Sequence, residues 1–294
     1  MKKFDVIATN PPFQNREKRK RTPHKIWIEF TVAAFEKWLK PEGLLLQISP
    51  ASFSSPSNKV LPLMRSHKTE LLDFNASKWF PKVGSTFAWY AIRNKKPDGN
   101  TVVNSEGNIF SIKLDEKVLW LPTDLSEEGF AVHRKVMWET ANKLGVSHDY
   151  VSCHNKTLGD TLSKTKTSYH KNPVFHTNVQ TWYTSLRLDW AGTKKVMWTR
   201  SGYTKPFYDN GTLGGTDMVY YVPVRTDAEG QHLAHNLNLP LFRYIFSTAR
   251  WSGFGNEKVF DNLPRVPSDH SYTHEEICNY YKLTLQEANH VKSW

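Results

Sequence analysis

The chain has 294 residues, 13 % of them aromatic, with 39 Lys and Arg against 28 Asp and Glu and a net charge of +11. That length suits two domains at about 150 residues each, and so aromatic a composition excludes intrinsic disorder. The excess of cations makes a polyanion, nucleic acid first, the natural partner.

In chain order, the apolar, β-branched run 4–9 predicts a buried strand that stops at Asn10-Pro11-Pro12. A polar, basic stretch follows to His24. Apolar residues from Ile26 to Leu39 recur at helical spacing, and Lys40-Pro41-Glu42-Gly43 supplies a helix stop. A second buried strand is predicted over 43–48, a short helix within 57–68, a third strand over 70–74 and a fourth over 87–92. This alternation predicts an α/β layer with a largely parallel sheet over residues 1–97. Beyond it, strands are predicted at 108–114, 196–199 and 218–224, and helices at 129–144 and 239–248. The expected organisation is a catalytic half-domain over 1–97 and an α+β recognition region over 98–294, divisible near 150.

Asn10-Pro11-Pro12-Phe13 stands at the carboxyl end of the first strand, where open α/β sheets bind ligands. The two prolines fix φ and remove two N–H donors, leaving carbonyl oxygens on a rigid loop. With the Asn10 amide oxygen and the Phe13 ring, they suit an exocyclic amino group on a planar heterocycle. Hydrogen bonds to Asn10 Oδ1 and the Pro11 carbonyl would orient that amino group and favour release of its lone pair. Stacking on Phe13 requires the base to leave its helix.

The setting Phe4-Asp5-Val6-Ile7, then Asn10-Pro11-Pro12-Phe13, resembles the gamma-class N6-adenine DNA methyltransferases of restriction–modification systems. Leu39-Lys40-Pro41-Glu42-Gly43, the strand Leu44–Ile48 and Pro50-Ala51-Ser52-Phe53 are similar to the family's next elements. So is Trp79-Phe80-Pro81 before the strand at Phe87. The resemblance implies a partial, Rossmann-like S-adenosylmethionine-dependent methyltransferase sheet. It also implies that Asn10, Pro11, Pro12 and Phe13 are catalytic, with Phe13 and Phe80 on the two faces of a flipped adenine. It covers 4–97 well and the segments 195–267 more loosely, where a target-recognition domain is implied.

In that family a Gly-rich cofactor loop precedes the catalytic turn, and here nine residues do. Gly211, Gly214-Gly215 and Trp251-Ser252-Gly253-Phe254-Gly255 lack the strand-to-helix setting of such a loop. The expectation is therefore that S-adenosylmethionine is bound outside this sequence, with 4–9 left as an apolar edge strand. Such an edge invites a second subunit or another copy of the chain. The alternative is an inactive DNA-binding or specificity protein on the same half-fold.

Arg16, Lys18, Arg19, Lys20 and Arg21 follow the turn directly, where cations would position the phosphates of double-stranded DNA. Lys194, Lys195, Arg200 and Arg250, interleaved with aromatics, are the further candidate DNA contacts. RNA carries the same amino group and remains open as substrate. The scattered histidines predict no metal site. No apolar run approaches the roughly 18 residues of a membrane span, and no h-region follows the basic N-terminus. With only Cys153 and Cys278 and no Cys-x-x-Cys pair, a cytoplasmic setting is expected.

Overall fold

The predicted first strand forms as β1 (Phe4–Thr9), and the helical run forms as α1 (Ile26–Ala33), continued by a π turn over Ala34–Trp38. The computed structural model describes residues 3–13, 25–80, 86–148, 153, 160–177, 181–201, 205–251 and 257–294. These fall into two compact units, Met1–Arg134 and Lys135–Trp294.

In the first unit, β2 (Leu39–Pro50), α2 (Val60–Ser66), β3 (Lys68–Asp73), β4 (Phe87–Arg93), β5 (Thr101–Ser105), β6 (Asn108–Ile112) and α3 (Glu127–His133) follow α1. The sheet order is β1-β2-β4-β3-β5-β6. β1 lies parallel to β2 and β3 parallel to β5, whereas β4 runs against both β2 and β3, and β6 against β5. The sheet is therefore mixed, not the largely parallel one predicted. Among its described residues the connection from β3 to β4 carries a 3-10 turn, Phe74–Trp79, and no crossover helix, and without a full crossover the chain reverses direction. The sheet also runs past the boundary expected at residue 97, since β5 and β6 belong to it.

Alternation along β2 sets its two faces. Leu45, Gln47 and Ser49 are buried, while Leu44, Leu46 and Ile48 are half-buried. In the paired register, Val6 faces Leu44, Ile7 Leu45, Ala8 Leu46 and Thr9 Gln47. The helix-stop residues Lys40–Gly43 belong to β2, where the register with β1 slips and Glu42 takes a φ of 62°. Trp27 and Thr31 of α1 are buried, and Thr31 reaches the sheet through Gln47.

His133, at the end of α3, is fully buried; Trp120 Nε1 donates to its Nδ1 at 3.1 Å, which leaves the ring proton on Nε2. Burial lowers its pKa from 6.5 to about 3, with Asp124 opposing. Above about pH 6.5 the ring is neutral in folded and unfolded chain alike. Below that, the unfolded chain takes up a proton that the folded chain refuses until about pH 3, so stability falls as pH falls through this window. Between pH 6.5 and 5 the expected loss from this residue is about 2 kcal/mol. Urea unfolding at the two pH values checks it: His133→Gln should show a smaller pH dependence than the parent chain.

In the second unit, β7 (Ser147–His148), β8 (Leu162–Ser163), β9 (Asn172–Phe175), β10 (Trp182–Thr184), β11 (Lys195–Thr199), β12 (Phe207–Asp209), β13 (Gly214–Gly215) and β14 (Val219–Pro223) precede five helices. The strands make two sheets, ordered β13-β9-β10-β8 and β12-β11-β14-β7. Trp198, Tyr220 and Phe260 gather in its core, with Tyr220 and Phe260 ring centroids 4.8 Å apart. The helices are α4 (Asp227–Leu237), α5 (Pro240–Thr248), α6 (Glu257–Asp261), α7 (His274–Tyr280) and α8 (Leu285–Ser293). Capping boxes from Thr273 and Thr284 start α7 and α8; each hydroxyl satisfies an otherwise unpaired helix N–H. A helix at Glu257, which the sequence does not predict, also forms.

Candidate functional site

Among the described residues β1 is one of the two edge strands of the first unit's sheet, β6 being the other, and the Asn-Pro-Pro-Phe turn leaves from the carboxyl end of β1. Asn10 is exposed, Pro11 buried, Pro12 exposed and Phe13 half-buried. The turn is thus anchored by one proline while the asparagine amide faces outward.

Phe13 and Phe80 converge on a common neighbour. Phe13 lies 5.1 Å from Phe87 between ring centroids, and Phe80 lies 4.7 Å from it, both tilted by about a third of a right angle. Ser77 ties Phe80 to Phe87. Its hydroxyl accepts from the Phe87 N–H at 2.7 Å, and its carbonyl accepts from the Phe80 N–H at 2.9 Å. Phe87 is buried and touches both rings that were expected to face a base. Sequence reading missed it because the first residue of an apolar strand looks like ordinary core. Its position directly after the loop that follows Phe80 was the available signal.

A buried polar group lies next to the turn. Gln47, paired with Thr9, donates from Nε2 to Thr31 Oγ1 and to Tyr90 Oη, both at 2.8 Å. Thr31 in turn donates to the Trp27 carbonyl at 2.9 Å. Burial pushes the Tyr90 phenol up to about 12, so it stays neutral. These bonds join β2, β4 and α1 at the level of Thr9. Buried polar groups left unpaired are costly; here the Gln47 amide nitrogen is satisfied, while Gln47 Oε1 finds no hydrogen-bond partner among the described residues.

Arg16, Lys18, Arg19, Lys20 and Arg21 lie outside the described residues. In the second unit, the four expected DNA contacts differ in kind. Lys195 is fully buried, and its ammonium donates to Asp209 Oδ2 at 2.6 Å and to the Thr193 carbonyl at 2.9 Å. It cannot reach a phosphate, which corrects the sequence-based assignment. Every residue of β11 is buried, so charge alternation there says nothing about exposure. Lys194 is half-exposed but paired with Asp227 at 2.6 Å. Arg200 and Arg250 are half-buried.

Gly214 and Gly215 pack beneath the Leu188 and Trp190 side chains, which a Cβ at either glycine would strike. Gly211 takes a φ of 99° in the turn after β12, where its N–H donates to Asp209. Of the last Gly-rich candidate only Trp251 is described. Among the described residues no group of His, Cys, Asp or Glu is placed to hold a metal ion, and no helix is long and apolar enough to cross a membrane.

No protein-family model and no curated protein matches the chain. Among solved structures it is similar to the DrdV–DNA complex, at 10 % identity and a TM-score of 0.46, over 98 % of this chain and 43 % of that one. It is similar to the type IIL restriction-modification enzyme MmeI in complex with DNA, at 9 % identity and a TM-score of 0.44, over 93 % and 46 % of the two chains. The M protein of the type I restriction enzyme EcoKI aligns at 17 % identity and a TM-score of 0.29, over 35 % of this chain and 25 % of its own. The chain spans less than half the length of each.

Proposed function

We propose that the first unit is the target-base half of a DNA adenine-N6 methyltransferase of the restriction–modification kind. The half that binds S-adenosylmethionine is polypeptide that pairs with the open edge of β1. The observation that carries this reading is the Asn-Pro-Pro-Phe turn at the carboxyl end of an edge strand, with its asparagine exposed and Phe13 and Phe80 gathered on Phe87.

S-adenosylmethionine, when bound, supplies an activated methyl group. The residues of this chain receive the base. Asn10 Oδ1 and the Pro11 carbonyl accept the two hydrogens of the adenine amino group and hold its nitrogen in one orientation. Phe13 and Phe80 provide apolar ring surface for a base taken out of the helix stack. Positioning and preorganised acceptors do the catalytic work, and no strong base is called for.

The edge supports the partner in this reading. Phe4 and Val6 are 50 % and 55 % exposed, large apolar side chains on a strand whose outer backbone groups face no further strand among the described residues. Unprotected edges of this kind pair with further strands. The double variant Phe4→Glu/Val6→Lys should fold as the parent does, since both side chains are exposed. It should bind duplex DNA equally well, yet fail to assemble with the cofactor-binding polypeptide and lose methylation. Co-purification and a methylation assay check this; full assembly by the variant contradicts the role given to β1.

A further inference from the structure

The loop between β8 and β9 has a composition unlike the rest of the second unit. From Thr161 to Leu188 the sequence contains no Asp or Glu, while Lys164, Lys166, Lys171 and Arg187 fall within it. Lys164, Lys166 and Lys171 are all exposed. Among the described residues none of the three has a carboxylate partner, whereas Lys194 and Lys195 each do. Lys164 rests over the Trp182 ring at 5.2 Å.

The loop is also braced. Ser163 Oγ donates to the Thr165 carbonyl at 2.9 Å and accepts from its N–H at 3.1 Å. Thr167 Oγ1 accepts from the N–H groups of His170 at 2.8 Å and Tyr169 at 3.2 Å, and its own N–H donates to the His170 carbonyl at 3.1 Å. His170 Nε2 lies 3.1 Å from the Asp160 carbonyl. These bonds occupy backbone groups and not the lysine ammonium groups, so binding has little backbone ordering of the loop left to overcome. At the tip, Tyr169 is 64 % exposed, its ring edge-on to His170 at 4.9 Å.

We propose that this loop grips the sugar–phosphate backbone of duplex DNA, with Lys164, Lys166 and Lys171 on phosphates and Tyr169 against the sugar or groove edge. The inference rests on the reading of the protein as one that acts on DNA. It relocates the contacts of the second unit from Lys195, which is buried, to cations that are exposed and unpaired. Such contacts fix orientation on the duplex without reading sequence.

The test is duplex binding by the full chain, measured by fluorescence anisotropy between about 50 and 200 mM salt, where each phosphate contact contributes about 0.9 to the logarithmic salt slope. Lys164→Gln/Lys166→Gln/Lys171→Gln is expected to shallow the slope by about 2 to 3, and the corresponding triple Arg variant to retain it. Tyr169→Ala should weaken binding several-fold with the slope unchanged. An unaltered slope in the triple Gln variant, with binding retained, overturns the loop assignment and leaves the methyltransferase reading standing. If the parent chain does not bind duplex DNA at all, both fall. Stronger binding to duplex RNA than to DNA overturns the choice of partner.

Discussion

Asn10→Ala is expected to lower methyl transfer to adenine N6 by about 10²–10³-fold in the enzyme completed at β1, the scale seen when one preorganised hydrogen-bonding group is removed from a reacting centre. Duplex affinity should be unchanged, because the side chain is exposed and supports no part of the core. The turn should also survive, since its conformation comes from Pro11 and Pro12 and from the buried anchor at Pro11. The loss belongs in the rate and not in substrate binding: the amide oxygen contributes one acceptor among many contacts to DNA, but one of only two to the amino group. Single-turnover kinetics at saturating DNA separate these. A weakened affinity with an intact rate would place Asn10 in DNA binding instead.

Asp209→Ala is expected to destabilise the second unit by about 3–5 kcal/mol, because it strands a buried ammonium without its counter-charge. Asp209 is 5 % exposed and Lys195 fully buried. The carboxylate also accepts from the N–H groups of Gly211, Thr212 and Leu213 at 3.2 Å each, and from Thr212 Oγ1 at 2.6 Å. It therefore shapes the turn after β12 as well as pairing with β11. Burial lowers the Lys195 pKa, and the hydrogen bond and charge of Asp209 oppose that shift without cancelling it. Lys195→Met/Asp209→Leu should recover part of the loss, as apolar replacements of buried ion pairs often do. Thermal unfolding reads both: a fall of roughly 10 °C is expected for Asp209→Ala. A double variant as unstable as the single would show that the turn contacts, and not the charge, dominate.

The strands at 4–9, 43–48, 70–74 and 87–92 were legible because each is an apolar run bounded by turn residues, and β1–β4 lie on those positions. Their order was not. β4 inserts antiparallel between β2 and β3, and nothing in a periodicity says which strand a run will pair with. β5 escaped notice because Thr101, Asn104 and Ser105 dilute its apolar signal, although Val103 is core. The Asn-Pro-Pro-Phe turn was legible as four adjacent residues with distinctive backbone chemistry. Phe87 was not, since its place comes from contacts with Phe13 and Phe80, residues distant from it in sequence or across a turn, and from its bond to Ser77. Charge was visible in the sequence and burial was not: Lys195 and Lys166 look alike on paper, yet one is enclosed with Asp209 and the other is exposed.

The edge position of β1 leaves Asn10 at the rim of the sheet, with no strand on the outer side of β1 among the described residues. The most direct measurement is mass-spectrometric quantification of N6-methyladenine in DNA from cells producing this chain together with the S-adenosylmethionine-binding polypeptide that pairs with it. N6-methyladenine is expected at defined sites when both are present and at none when either is omitted. Unmodified adenine in cells where both proteins are folded and assembled on DNA would contradict the proposed function.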